Sequence, residues 1–318
     1  MILLWGVPTE SPMALVAEAA ERLAVPYTLL SQREAAHTGL RYSFDGKSLQ
    51  GELEIRGRRF DFGEIDGLYL RCMEPALLPE NRQLAGAGMD ETGTRARSLG
   101  FHAALFELIE LVELGGLLPW RVMNRSAAMA SNLSKPYQMQ RIMESGLRVP
   151  ETLVSNSPEA VRRFLASRRR LIYKSISSVR SIVQELAGPR VGELERIRAL
   201  PVQFQELLVG TEIRVHVAGE EIFAAEISTT ALDYRYAGRD GQAVTMQACE
   251  LPGPVREQCF QLSRSLHLPL CGIDLKRTPE GSHYCFEVNP SPGYSYFQEN
   301  TGQDIAGGIV RYLAGLQT

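Results

Sequence analysis

The sequence predicts an α/β protein in which a small βαβ-type unit precedes larger units that mix α-helices and β-strands. Residues 1–30 read as strand, helix and strand, an order that favours a parallel sheet. Further along the chain, residues 212–228 and 271–290 alternate between apolar and polar side chains around a turn, which predicts two antiparallel hairpins. Predicted helices separate these strands, so the chain combines α/β with α+β organisation.

The first unit begins with the apolar run MILLWGV, which predicts a buried strand. Ser11 is expected to cap a helix that starts at Pro12 and continues through Arg22, and VPYTLL follows as a strand. Asp-Gly and Arg-Gly turns lie between the alternating segments of residues 40–62 and predict a small antiparallel insertion. A strand, a long helix and a further strand are then predicted at residues 65–71, 94–114 and 120–124.

A second unit is predicted to begin near Ser126. Ser134 is expected to cap a helix that Gly146 ends, and Ser157 and Pro158 start the next helix. The segment RLIYKSI follows as a strand, and QFQELLVG is another strand after a serine-rich turn and a helix-like stretch. The third unit contains the two hairpins, with helices predicted at residues 254–266 and 305–316.

The second hairpin carries three oxygen-bearing side chains on one face. If Glu280 and Gly281 form a two-residue turn, Asp274 lies directly opposite Glu287. Period-two alternation then puts Asn289 on the same face as Glu287. The opposite face is predicted to enter a core through Ile273, Leu275, Phe286 and Val288.

Two carboxylates directly opposite each other destabilise a sheet unless something positive lies between them. Carboxylate and amide oxygens are ligands of the kind that hold Mg²⁺ against a phosphate. The spacing of Asp274, Glu287 and Asn289 therefore favours a bound cation. An ordinary surface hairpin with its acidic side chains in solvent is the alternative.

Composition and charge indicate the number of domains and the kinds of partner to expect. The 318 residues are many for one domain, and two or three packed units are expected. The net charge of −3 gives no reason to expect nucleic acid or an anionic membrane as a partner. The five cysteines lack CxxC spacing and are expected to be reduced thiols. Neither a signal peptide nor a membrane-length apolar stretch is recognised, so a cytoplasmic protein is predicted.

Two lysines are candidates for binding phosphate. Lys174 closes a predicted strand beside a serine-rich stretch, where an ammonium, hydroxyls and backbone N–H groups can meet phosphate oxygens. Lys135 lies in the first turn of a helix, where a cation opposes the helix dipole and is tolerated best beside an anion. Taken alone, each position is explained as well or better by an ordinary surface lysine.

Two further candidates lie where the second and third units meet. Glu206 lies at the boundary between two units, where a strand backbone often binds a nucleotide base and a carboxylate binds the ribose hydroxyls. An ordinary edge strand explains this segment equally well. Arg214 shares a face with Glu212 and His216, and either pairs with Glu212 or reaches a transferred phosphoryl group. His216 is expected to be a packed strand histidine.

The loop at residues 229–246 suits an anionic substrate, and a solvated loop explains it nearly as well.

The order of these residues resembles the ATP-grasp superfamily in its RimK-like branch, including the peptide-crosslinking ligases of the microviridin and graspetide type. The matching strings are SNLSKPYQMQRIMESGLRVPETLVSN, IYKSI, FQELLVGTEIRVHVAGEEIFAAEI and GIDLKRTPEGSHYCFEVNPSPGYSYFQENTG, with the closing helix. The resemblance covers the chain from about residue 120 to its end, and implies an ATP-grasp fold preceded by a small βαβ-type pre-grasp domain. The implied domains are a pre-ATP-grasp domain at 1–122, a central lid subdomain at 123–205 and a C-terminal subdomain with the metal site at 206–318.

The resemblance also implies a role for each matching residue. Lys135 and Lys174 would contact ATP phosphates, and Arg214 would lie beside an acyl-phosphate as a catalytic group. The adenine hinge would be formed by Gln205, Glu206, Leu207 and Leu208. The Mg²⁺ ligands would be Asp274, Glu287 and Asn289.

The activity implied is that of an ATP-dependent carboxylate–amine ligase, with ATP and Mg²⁺ as cofactors. Such an enzyme activates a carboxylate as an acyl-phosphate, which an amine or another nucleophile attacks to give an amide or an ester. The implied substrate is an amino acid or a peptide, and a homo-oligomer is compatible with the sequence. A non-catalytic nucleotide-binding regulatory protein with the same fold is the alternative. A dehydrogenase built on the N-terminal βαβ unit lacks a glycine fingerprint.

Two segments depart from the family's pattern. The segment SISSVRSIV, which contains the serine-rich turn, replaces a glycine-rich lid after Lys174. Ser228 and Thr229 stand where many relatives carry an arginine after the second strand of the first hairpin. Arg235, in the DYRY segment of the following loop, is expected to supply that catalytic charge instead.

Overall fold

The computed structural model describes residues 1–79, 81, 93–115, 118–168, 170–176, 183–229 and 243–316. Within these ranges the strands form three larger sheets and one small sheet, with helices packed against them. The predicted α/β class is therefore confirmed.

The N-terminal part is a parallel sheet with an antiparallel insertion. Its elements are β1 (Ile2–Gly6), α1 (Ser11–Arg22), β2 (Tyr27–Ser31), β3 (Thr38–Phe44), β4 (Leu49–Ile55), β5 (Arg58–Asp61), β6 (Gly67–Arg71), α2 (Thr94–Gly115) and β7 (Arg121–Met123). The parallel sheet has the order β2-β1-β6-β7, and β3, β4 and β5 form the predicted insertion.

Helix α1 starts one residue earlier than the capping pattern predicts. Ser11 is the first helical residue, and Glu10 is the N-cap without a side-chain capping hydrogen bond. The backbone carbonyl of Glu10 already accepts hydrogen bonds from Met13 and Ala14. The prediction that Ser11 caps this helix is therefore wrong, although Pro12 lies in the first turn as expected.

The central part is built around a second sheet. Its elements are α3 (Ser126–Met129), α4 (Lys135–Glu144), β8 (Thr152–Ser155), α5 (Pro158–Arg168), β9 (Leu171–Lys174), β10 (Gln184–Glu185), α6 (Pro189–Gly192) and β11 (Val202–Glu206). The sheet order is β10-β9-β11-β8, and the pairs are antiparallel. Ser134 caps α4 as predicted, because its Oγ accepts a hydrogen bond from the N–H of Tyr137.

The C-terminal part contains a five-stranded antiparallel sheet. Its elements are β12 (Thr211–Ala218), β13 (Glu221–Thr229), β14 (Val244–Cys249), α7 (Gly253–Ser265), β15 (Leu270–Arg277), β16 (His283–Asn289), α8 (Ser295–Thr301) and α9 (Ile305–Ala314). The order β14-β13-β12-β15-β16 leaves β16 at one edge. One face of the sheet packs against α4 and α7 through a core that includes Ile213, Val215 and Leu275.

Helix α9, near the C-terminus, packs against the N-terminal parallel sheet. Ile309 and Leu313 are fully buried in a core that also contains Ile2 and Leu4 of β1. Gly67 allows α9 to pack closely against the parallel sheet, because a Cβ at that position would lie 2.5 Å from the carbonyl oxygen of Leu313. The N-terminal and C-terminal sheets are thus packed as one body.

Among the described residues, none of the helices combines the length and the apolar character needed to cross a bilayer.

Candidate active site

The hairpin of β15 and β16 places Asp274 directly opposite Glu287, as predicted. The turn itself differs from the prediction. The N–H of Thr278 donates to the carbonyl of Ser282, and the N–H of Gly281 donates to the carbonyl of Thr278. The loop therefore has three residues rather than two, with Gly281 at a φ of +83°.

A β-bulge at Phe286 offsets the additional residue in the turn. Beyond the bulge the register shifts by one residue, so that Asp274 meets Glu287. Cys285 is fully buried, whereas Phe286 is partly exposed with the Nζ of Lys276 5.6 Å from its ring centre. The prediction that Phe286 enters the core is wrong, since Cys285 takes that place. The core positions of Ile273, Leu275 and Val288 are confirmed.

Arg214 supplies a positive charge beside these carboxylates. It lies opposite Asp274 on the neighbouring strand β12, and its Nη1 is 2.6 Å from Asp274 Oδ1. The side chain of Arg214 is only 6% exposed, and that of Asp274 is 19% exposed. Glu212, the partner considered for Arg214 from the sequence, instead pairs with Lys276 at 2.7 Å.

The position of Arg214 depends on a glycine and a histidine. A Cβ on Gly272 would lie 2.0 Å from Arg214 Nη2, so only glycine leaves room for the guanidinium. Arg214 Nε donates to His216 Nε2 at 3.3 Å, which places the proton of the neutral imidazole on Nδ1. Burial, and then the charge of Arg214, lowers the pKa of His216 well below 6.5. His216 is a neutral, buried strand residue packed on Phe297.

Glu287 and Asn289 complete the polar face of the hairpin. No described residue forms a hydrogen bond or ion pair with the carboxylate of Glu287, although the side chain is partly buried. Asn289 Oδ1 accepts a hydrogen bond from the N–H of Ser291 at 2.9 Å. No group of three or more His, Cys, Asp and Glu side chains suited to a metal is found in the described part of the chain. Two carboxylates and an amide remain, a donor set that fits Mg²⁺ coordinated also by phosphate oxygens.

The two candidate lysines converge on the end of β9. Lys174 is the last residue of that strand, and Lys135 is the first residue of α4. Lys135 Nζ donates to the carbonyl of Ser175, the residue after Lys174, at 3.2 Å. The ammonium of Lys135 next to the residue after Lys174 favours a polyanionic ligand over two unrelated surface lysines.

The predicted hinge spans the end of β11, a strand that is paired on both sides by β8 and β9. The carboxylate of Glu206 accepts the N–H of Glu151 at 2.9 Å, and the N–H of Leu207 donates to the carbonyl of Arg170 at 3.0 Å. Lys276 Nζ donates to the carbonyl of Leu208 at 3.2 Å and thereby joins the hinge to the five-stranded sheet. With respect to described residues, the carbonyl of Leu207 and the N–H of Leu208 make no hydrogen bond.

Gln205 contributes a buried amide next to this hinge. Its Nε2 donates to the hydroxyl of Thr152, while its Oε1 is buried without a hydrogen-bond partner among the described residues. A buried acceptor is costly unless a donor reaches it, so an amino group on a bound base suits this position. The N–H of Leu208 likewise offers a donor that a ring nitrogen of a bound base can accept.

Residues 134–313, more than half of the chain, match the family of RimK-like ATP-grasp domains. This chain belongs to the RimK-like ATP-grasp family.

Known relatives of this ATP-grasp chain include ligases. A ribosomal protein bS6–L-glutamate ligase from Escherichia fergusonii is 29% identical over 202 residues, 60% of this chain and 66% of the relative. The match thus spans just under two thirds of the curated relative's length. The solved ATP-grasp ligase PsnB, complexed with a minimal precursor, Mg and ADP, is 25% identical with a TM-score of 0.76 over 99% of this chain and 96% of that chain.

A second solved structure supports the same fold. A RiPP-associated ATP-grasp ligase from Chryseobacterium gregarium, in complex with ADP and a leader and core peptide, has a TM-score of 0.79 at 18% identity, over 100% of this chain and 97% of that chain. These similarities confirm the predicted ATP-grasp fold.

Some predicted functional positions of this ATP-grasp chain lie outside the described residues. Arg235 is one of them, together with residues 230–242 of its loop and residues 177–182 after Lys174. The proposed catalytic role of Arg235 therefore stays a prediction.

Sequence reasoning missed three residues that hold the segment around Glu287 and Asn289. Gln138 contacts the backbone of Val288, and Asn124 donates to the carbonyl of Pro290 at 2.6 Å. Arg71, at the carboxyl end of β6, donates to Ser291 Oγ and to the carbonyl of Pro292, both at 3.1 Å. The sequence gives little signal for them: Gln138 lies on the same face of α4 as the buried Ile142, four positions later.

Lys174→Ala is expected to weaken ATP binding by roughly 10- to 100-fold, the loss of one charge-assisted hydrogen bond. Titration calorimetry with a non-hydrolysable ATP analogue measures this affinity. Lys47→Ala is the matched control, since Lys47 is exposed in the turn between β3 and β4. Unchanged nucleotide affinity in Lys174→Ala would remove this lysine from the site.

Proposed function

We propose that this chain is an ATP-dependent ligase that activates a carboxylate as an acyl-phosphate and joins it to an amine. The observation that carries the proposal is the arrangement around Lys276, which pairs with Glu212 and donates to the carbonyl of Leu208. This contact holds the candidate hinge against the sheet that carries Arg214, Asp274 and Glu287. A nucleotide bound at the hinge would extend its phosphates toward those side chains.

The described residues suit the parts of a nucleotide. The backbone of Leu207 and Leu208, with Gln205, would hold the adenine. Glu206 offers the ribose hydroxyls a carboxylate oxygen, since only its Oε1 accepts a backbone N–H. Lys135 and Lys174 would contact the phosphates, and Asp274, Glu287 and Asn289 would hold Mg²⁺. Bound Mg²⁺ would neutralise charge on the phosphoryl group during its transfer.

The reaction balances without a further reactant. An oxygen of the substrate carboxylate attacks the γ-phosphorus, the bond from that phosphorus to the bridging oxygen breaks, and ADP leaves. The amine then attacks the acyl carbon and loses a proton, and inorganic phosphate leaves. Arg214, nearly fully buried and held by Asp274 and His216, would stabilise the negative charge that develops on the acyl-phosphate.

We propose an amino acid or a peptide as the substrate, and an amide as the product. One relative is named a glutamate ligase for a ribosomal protein, and two solved relatives contain precursor peptides. Arg235, in the loop after β13, would contribute positive charge for an acidic substrate. The net charge of −3 favours neither a nucleic acid nor an anionic membrane as a partner.

Substrate-dependent formation of ADP tests the proposal. The full chain is incubated with Mg-ATP and with amino acids or acidic peptides, alone and in pairs, and ADP and phosphate are measured. Equal amounts of ADP and phosphate, formed only when a carboxylate and an amine are both present, would support a ligase. ATP binding without ADP formation under any condition would favour a nucleotide-binding regulatory protein.

A further inference from the structure

The strand that carries Glu287 and Asn289 lies at the edge of its sheet. Among the described strands β16 pairs only with β15, and on its other side a single bridge joins Tyr284 to Arg148, so the backbone of Val288 has no strand partner there. Glu287 and Asn289, the proposed metal ligands, lie on the face of the hairpin that carries Asp274, and Val288 between them points into the core. The position of both ligands therefore depends on what holds the outer edge of β16 at Val288.

Gln138 closes this edge with two hydrogen bonds to one residue. Its Nε2 donates to the carbonyl of Val288 at 2.7 Å, and its Oε1 accepts from the N–H of Val288 at 2.9 Å. The side-chain amide thus replaces the backbone of a missing strand. Gln138 is 3% exposed, so water cannot readily take its place.

The helix that carries Gln138 also carries a candidate phosphate ligand. Lys135 is the first residue of α4 and Gln138 follows three positions later, nearly one helical turn. A rigid turn of helix therefore connects the lysine to the backbone between the two proposed metal ligands.

We infer that Gln138 is a positioning residue that sets Glu287 and Asn289 at the correct distance from Lys135. The inference rests on the proposed function, because the contact of Gln138 with Val288 can position metal ligands only if metal and phosphate bind there. Side chains behind metal ligands commonly change metal affinity or activity by about 10- to 100-fold when they are lost.

Other contacts hold β16 in place when Gln138 is changed. The N–H of Cys285 donates to the carbonyl of Arg148 at 2.8 Å, and Asn124 holds the carbonyl of Pro290. Loss of the Gln138 contact therefore loosens the strand locally, between Cys285 and Pro290, and leaves the sheet intact.

Direct binding of Mn²⁺ in the presence of ADP tests the inference. Free Mn²⁺ is measured by electron paramagnetic resonance for the wild-type chain, Gln138→Met, Gln138→Glu and Gln140→Met, with thermal melting of each variant. Gln138→Met keeps the length of the side chain and removes both hydrogen bonds. Gln138→Glu keeps an acceptor for the N–H of Val288 and removes the donor. Gln140 is exposed on the same helix and its side chain bonds to Glu144, so its variant is the matched control.

The expected result is a Mn²⁺ dissociation constant raised about 10-fold or more in Gln138→Met. Gln138→Glu is expected to show a smaller rise, and Gln140→Met none. The Mg²⁺ concentration for half-maximal ligase activity should rise in the same order.

Wild-type Mn²⁺ affinity in folded Gln138→Met, with or without a lower melting temperature, would overturn the inference and leave the proposed function standing. If the wild-type chain and its Glu287→Ala variant bind Mn²⁺ equally weakly, the proposed function itself fails, and the inference fails with it.

Discussion

Glu287→Ala is expected to abolish Mg-ATP turnover, lowering kcat by more than about 100-fold, while the protein remains folded. The carboxylate of Glu287 has no hydrogen bond or ion pair with a described residue, so its removal breaks no such interaction there. It also relieves the repulsion from Asp274, which lies directly opposite. The loss of activity would therefore report on the bound cation rather than on the fold. Steady-state ADP formation and thermal melting measure the two effects separately.

Glu280→Ala is the matched control for Glu287→Ala. Glu280 is an exposed carboxylate in the turn of the same hairpin, away from the face that carries Asp274. Its variant should keep wild-type turnover. Wild-type turnover in Glu287→Ala would exclude the proposed metal site.

Gly272→Ala is expected to inactivate the protein through Arg214. The added Cβ would lie 2.0 Å from Nη2 and 2.5 Å from Cζ of Arg214, so the buried guanidinium must move. Movement breaks its pairing with Asp274 and displaces the charge proposed to stabilise the acyl-phosphate. We expect kcat to fall by about 100- to 1000-fold, the usual effect of losing one such stabilising group. Overpacking should also lower the free energy of unfolding by about 1–3 kcal/mol.

Gly100→Ala is the control for the added methyl group. Gly100 lies within α2, and a Cβ there would meet no atom within 4 Å. Alanine at this helical position should leave activity unchanged and raise stability by up to about 1 kcal/mol. Full activity in a folded Gly272→Ala variant would show that the observed position of Arg214 is not needed for turnover.

The hairpin shows how far local sequence determines the site. Alternation correctly predicted which residues share the face with Asp274. The turn, however, has one residue more than predicted, and the bulge at Phe286 compensates for it. Turn length and bulges depend on backbone conformation at single residues such as Gly281, which the apolar pattern does not reveal.

Contacts between distant segments were harder to predict than the elements themselves. Arg214 pairs with Asp274 because β12 lies beside β15, an order that the hairpin patterns leave open. Gln138 meets Val288 because α4 packs against the edge of β16. Both contacts depend on how sheets and helices assemble, and no spacing within a single segment specifies that.

Transfer of oxygen from the substrate to phosphate tests the central claim most directly. The carboxylate substrate found in the ADP assay is labelled with ¹⁸O, and the phosphate and the product are analysed by mass spectrometry. Activation as an acyl-phosphate predicts one ¹⁸O atom in each molecule of phosphate released and one ¹⁸O atom in the amide carbonyl of the product. Unlabelled phosphate, with both labelled oxygens retained on the substrate, would contradict the claim that this chain activates a carboxylate with ATP.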